Sequence, residues 1–97
     1  MNSIPLDTWK LIDICRQNDV AMVGIFGSVA RGEATQQSDL DLLVRFAKRK
    51  TLLGMIRLER ELSAALGRKV DLVTEASISP YIRASIFLDL QVLYEEG

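Results

Sequence analysis

Between residues 39 and 46 two acids alternate with leucines at the head of an apolar run, Asp39-Leu40-Asp41-Leu42-Leu43-Val44-Arg45-Phe46. Successive side chains of a strand point to opposite faces, so in a strand over Leu40–Phe46 the two carboxylates share one side and Leu40 and Leu42 take the other. The competing reading is a helix start in which Ser38 caps and Asp41 bonds back. It needs a longer periodic run than Leu42 to Phe46 provides before the basic connector Lys48-Arg49-Lys50. A strand that delivers two acids to one face is therefore the expectation, and the other elements have to build around it.

Over residues 7–17 the apolar residues Trp9, Ile12 and Cys15 recur every third position and Leu11 widens the stripe, which predicts a first helix starting near Asp7 or Thr8. Asn18 and Asp19 supply turn chemistry before Val20–Phe26, a short, partly β-branched apolar run of the kind found in a buried strand. Gly27 ends that strand, and one helical turn through Val29, Ala30 and Arg31 closes at Gly32. Leu52–Leu66 has helical spacing through Leu52, Met55, Ile56, Glu59, Leu62, Ala65 and Leu66, with Gly67 as its carboxyl-terminal cap. Residues 70–73 form a third short strand, Ser79-Pro80 starts another helix, and residues 90–94 form a last strand. The order gives an α+β fold: one domain over residues 1–97 with a sheet flanked by helices. Strand directions are not legible at this level.

Composition narrows the partners. At 97 residues, 48% apolar and 26% charged, the chain is sized for a single core. Its 12 basic and 13 acidic residues leave a formal net charge of -1, so no positive field exists to hold a long nucleic-acid backbone. Cys15 is the one cysteine, which excludes an internal disulfide and suits a small buried hydrophobe in a reducing cytoplasm. The start MNSIPLDTWK lacks a basic stretch followed by an apolar run, and no stretch has the roughly 18 consecutive apolar residues of a membrane span. A soluble, uncleaved protein is expected.

Three features together carry chemistry: the turn Gly27-Ser28, the pair Asp39 and Asp41, and Asp71 thirty residues beyond Asp41. Asp71 stands between Val70 and Leu72, so on a strand it faces away from those two core residues. If its strand lies beside that of Asp41, the three carboxylates converge. They then repel one another unless divalent cations intervene, and hard oxygen ligands of this kind suit magnesium or manganese. Backbone amides near Gly27-Ser28 can face phosphate oxygens, with Gly27 removing the side chain that would block close approach. Ser28 adds a hydroxyl and Arg31 a positive charge one turn further on.

The string Gly27-Ser28-Val29-Ala30-Arg31-Gly32, five residues and then Ser38-Asp39-Leu40-Asp41-Leu42 resembles the signature of the DNA polymerase beta nucleotidyltransferase superfamily, in its minimal nucleotidyltransferase branch. The likeness continues through Gly67-Arg68-Lys69-Val70-Asp71-Leu72-Val73 and the closing segment. It implies a polymerase-beta-like core with a mixed sheet. Asp39 and Asp41 become ligands of two magnesium ions, or manganese in their place, and Asp71 a ligand of the catalytic ion and base for the acceptor. Gly27, Ser28 and Arg31 become the triphosphate site. Members this short resemble antitoxins paired with a HEPN-domain ribonuclease toxin, and the resemblance implies transfer of AMP from ATP to a toxin tyrosine. The length agrees, since 97 residues leave no room for a second domain that would hold a bulky acceptor.

Two other functions fit the same residues: a non-catalytic module that neutralises a toxin by covering it, and a transferase acting on a small molecule such as an aminoglycoside. Arg68 and Lys69 read as a solvated turn after a helix. Trp9 and Phe26 read as core, and Phe46, Tyr81, Phe87 and Tyr94 as core or as surface covered by a partner.

Overall fold

The computed structural model describes residues 6–35 and 37–96. The first five residues of the start, read above as free of a leader, lie outside the described residues. The chain runs α1 (Thr8–Gln17), β1 (Val20–Phe26), α2 (Gly27–Ala30), β2 (Leu40–Phe46), α3 (Leu52–Leu66), β3 (Val70–Thr74), a 3₁₀ turn (Glu75–Ser77), α4 (Pro80–Asp89) and β4 (Gln91–Glu95). The strands form one mixed sheet in the order β3-β2-β1-β4. β1 pairs antiparallel with β2 and β4, and β2 pairs parallel with β3. The parallel pair β2 and β3 is joined by the crossover helix α3, and α4 carries the chain from β3 at one edge of the sheet to β4 at the other.

Local chemistry sets the helix ends. Asp7 caps α1 by accepting the Lys10 amide at 3.0 Å, and Thr51 caps α3 by accepting the Gly54 amide at 3.0 Å. Gly67 closes α3 in the left-handed region at φ 69°, where a β-carbon would be strained. Ser79 caps α4, with Pro80 at its first position.

The sheet buries both faces. On one, Leu11, Ile14 and Cys15 of α1 and Leu58 and Leu62 of α3 pack over Val23, Ile25, Leu40, Leu42, Val44 and Val70. On the other, Ile78 and Ile86 pack over Met22 and Leu43, with Phe26, Val73 and Leu90 alongside. Burial first, and then the charge of Glu61, pushes the Cys15 thiol up to about 12, so it stays a neutral core group.

One expectation about packing is corrected. Trp9 is 82% exposed, because the seam of α1 runs Leu11-Ile14-Cys15 and Trp9 lies two residues, about 200°, around the helix from Leu11. Leu52, in the first turn of α3, is also 74% exposed, whereas Leu58 and Leu62 further along the helix are buried. Phe26 is half-buried against the second cluster, as expected, and Phe46 and Tyr94 are half-buried against the first. Tyr81 and Phe87 are exposed.

Glu59 falls on the inward stripe of α3 because it closes a sheet edge. Its carboxylate accepts the Leu72 amide at 2.9 Å, and the Ser63 hydroxyl oxygen accepts the Val70 amide at 3.1 Å. These outward amides of β3 would otherwise face no strand partner. Replacing Leu62 by Ala should lower stability by about 2–5 kcal/mol, whereas Trp9→Ala should stay within about 0.5 kcal/mol of the parent. Urea unfolding followed by circular dichroism checks both, and equal losses would contradict the assigned core.

Candidate active site

Alternation along β2 sends Leu40, Leu42 and Val44 to the α1/α3 face and leaves Asp41 with Leu43 on the α4 face. β3 follows the same rule, with Val70 and Leu72 on the α1/α3 face and Asp71 with Val73 on the other. The parallel register pairs Asp41 directly with Asp71. Strands lie about 4.8 Å apart, so two carboxylates stand side by side on one half-buried face. Burial, then the neighbouring charges of Asp71 and Asp39, hold the Asp41 carboxyl above its ordinary range; the charge of Arg31 opposes them.

On its other side Asp41 is paired with Phe26, the last residue of β1, so the turn into α2 borders the carboxylate. Gly27 has φ +76°, and a β-carbon there would run into Oδ2 of Asp41. Glycine is required twice over, for the backbone conformation and for the approach of the acid. The Arg31 amide closes the turn onto the Gly27 carbonyl at 3.1 Å, and the Gly32 amide, at φ +74°, donates to the Val29 carbonyl at 3.2 Å. The half-buried Ser28 offers its carbonyl to the Glu33 amide at 2.9 Å.

Arg31 is engaged elsewhere than on Asp41. Its Nη1 lies 2.7 Å from Asp89 Oδ2 at the end of α4, and its Nε 3.0 Å from Glu33 Oε1. Asp89 was not among the residues picked out from sequence; a contact across 58 positions leaves no local signature.

Asp39 stands just ahead of β2, and its Oδ2 lies 3.7 Å from Lys69 Nζ. Register thus brings Asp41 and Asp71 together, while the Asp39 carboxylate is turned toward a lysine. Among the described residues no three Asp, Glu, His or Cys side chains are already gathered closely enough to enclose one ion. The donor set nonetheless fits a divalent cation: two hard carboxylates side by side, one of them held above its ordinary pKa by burial and then by its acidic neighbours, with a third one strand-repeat away.

The reading of Arg68 and Lys69 as a solvated turn holds for Lys69, which is exposed with its Nζ near Asp39, and is corrected for Arg68, whose Nη2 donates to the backbone carbonyls of Thr35 at 3.1 Å and Ser38 at 2.6 Å. A paired Arg-Lys after a helix gives no sequence sign of a reach back over thirty residues.

The raised carboxyl of Asp41 has a sign for stability. Its protonated form is favoured by folding, so the stabilisation it contributes is complete below the unfolded pKa and is lost as pH rises through the folded value. Without divalent metal, Asp41→Asn should therefore melt higher than the parent at pH 7, and the gap should close as pH falls through the carboxylate range. Thermal melts in chelator across that range check this; a variant that melts lower at pH 7 would contradict the charge crowding.

The match of residues 9–93 to the family model of the nucleotidyltransferase domain covers most of the chain and includes all three acids. A protein of Methanocaldococcus jannaschii named as a candidate protein adenylyltransferase is 43% identical over 77 residues, spanning 79% of this chain and 83% of its own length. The protein adenylyltransferase MntA of Thermococcus cleftensis is 42% identical over 71 residues, 73% of this chain and 72% of its own. In three dimensions the fold matches a chain in a crystal structure of a toxin–antitoxin with AMP-PNP, with a TM-score of 0.83, 26% identity, and coverage of 95% of this chain and 76% of that one. With the paired acids on adjacent strands and the glycine turn packed against them, these likenesses place the chain in the nucleotidyltransferase domain family, as a nucleotide-transferring enzyme.

Proposed function

We propose that this chain transfers AMP from ATP to a tyrosine hydroxyl of a partner HEPN-domain ribonuclease toxin, as the antitoxin of a toxin–antitoxin pair in the cytoplasm. The observation that carries the reading is the register pairing of Asp41 with Asp71 beside a turn whose glycine cannot be replaced without striking Asp41. Kinship with named protein adenylyltransferases supports the adenylyl group and the protein acceptor. Likeness to a toxin–antitoxin structure supports the partner. Among the described residues no helix is long and apolar enough to cross a membrane.

Asp39 and Asp41 would hold two Mg2+ ions, or Mn2+ in their place, and Asp71 the one nearer the acceptor. When bound, the ions neutralise charge on the triphosphate and on the attacking and leaving oxygens. Asp39 would give up its loose ion pair with Lys69, 3.7 Å away, to take this role. Asp71 accepts the proton of the tyrosine hydroxyl. The tyrosine oxygen then forms a bond to the α-phosphorus of ATP as the bond from that phosphorus to the bridging oxygen breaks, and pyrophosphate leaves with the electron pair. The backbone amides at Gly27 and Ser28 would bind the triphosphate, with the Ser28 hydroxyl as a further donor and Arg31 as a source of positive charge.

In the variant carrying both Asp39→Asn and Asp41→Asn, labelling of the toxin with radioactive AMP should fall by about 1,000-fold or more, equivalent to several kcal/mol of lost transition-state stabilisation. Its circular dichroism should match the parent. Undiminished labelling by the double variant would refute the proposal. Inhibition of the toxin without ATP and without labelling would replace it with a covering module.

A further inference from the structure

Asp41 and Asp71 are oriented by the sheet, since both lie inside strands whose hydrogen bonds fix their backbone. Asp39 lies one residue before β2 and has no such support. What surrounds it is the turn between α3 and β3. The Ser38 carbonyl, which shares a planar peptide unit with the Asp39 amide, accepts from Arg68 Nη2 at 2.6 Å. On the other side of Asp39, the Leu40 amide donates to the Lys69 carbonyl at 2.9 Å. The backbone of Asp39 is therefore pinned at both flanking peptide units by two consecutive residues of one turn, and the Lys69 side chain faces its carboxylate.

Arg68 is committed to this position. Gly67, at φ 69°, turns the chain so that Arg68 leaves α3 pointing back, and the Val70 amide is anchored on the Ser63 hydroxyl oxygen at 3.1 Å. Its guanidinium faces two carbonyls rather than a carboxylate, and it also holds Thr35, whose amide and carbonyl close a turn with Ser38 at 2.9 and 3.1 Å. Arg68 Nε is the one side-chain nitrogen or oxygen among the described residues that is buried without a hydrogen-bond partner. Sinking a cation to bond backbone alone is costly, and what the site obtains is one nitrogen, Nη2, whose two N–H groups hold two carbonyls at once.

We infer that Arg68 is a positioning residue for metal binding, acting through Asp39: it fixes the Ser38–Asp39 peptide so that the Asp39 carboxylate reaches the ion held by Asp41. The inference rests on the reading of Asp39 as a metal ligand. Supporting residues of this kind, when removed, weaken metal affinity by about tenfold or more.

Mn2+ binding to the full chain, followed by electron paramagnetic resonance without nucleotide and at a temperature where circular dichroism shows every variant folded, tests it. Arg68→Met should bind Mn2+ about tenfold more weakly than the parent. Arg68→Lys, whose ammonium ends one bond short of the Nη2 position and so holds the two carbonyls less closely, should fall between the two, and it carries the test if the methionine variant does not fold. Combining Arg68→Met with Asp39→Asn should be no worse than Asp39→Asn alone, because the two changes act on one ligand. Parent-like affinity in both folded Arg68 variants, or independent losses that multiply in the combined variant, would overturn the inference. Parent-like affinity in Asp39→Asn would instead overturn the reading of Asp39 as a ligand, which this series therefore exposes separately.

Discussion

Two like charges sit at directly paired positions of adjacent strands, where β2 and β3 run parallel and place Asp41 against Asp71. Like charges facing each other across a ladder destabilise it, and here burial compounds the repulsion. Much of the rest of the chain serves to hold this pairing. α3 makes the crossover that parallel strands need and carries Leu58 and Leu62 into the core. It also covers the outer edge of β3 with Glu59 and Ser63. The apolar faces of β2 and β3 lock the register, since a slip by one residue would turn Asp41 and Asp71 into the core and expose Leu40, Leu42 and Val70.

The same arrangement explains the turn at Gly27. Antiparallel pairing of β1 with β2 ends at Phe26 opposite Asp41, so the chain must leave the sheet next to a carboxylate. Only a residue without a β-carbon fits there. One feature therefore joins the acids to the short α2 turn, and Arg31 joins that turn to α4 through Asp89. Three separated stretches of sequence become one site because they meet at one end of the sheet.

Much of this was legible before the structure. The bounds of α3 could be read from the helical spacing of Leu52–Leu66 and from Gly67 after it, because a C-terminal glycine cap is local chemistry confined to a few residues. The strand of Asp41 was legible from the alternation of acid and leucine, and Asp71 from its place between Val70 and Leu72. The direction of β3 against β2 was not legible, because pairing is decided by packing over distance. Trp9 misled for a related reason: spacing of three fits more than one helical stripe, and the core chose Leu11, Ile14 and Cys15. Arg68 and Asp89 were invisible since their partners lie 30 and 58 positions away, where no local pattern records the contact.

The most direct test is intact mass spectrometry of the partner toxin after incubation with this chain, ATP and magnesium. The account predicts a toxin whose mass rises by one or more whole AMP increments, mapped to tyrosine. A toxin inhibited with its mass unchanged would contradict transfer as the basis of neutralisation.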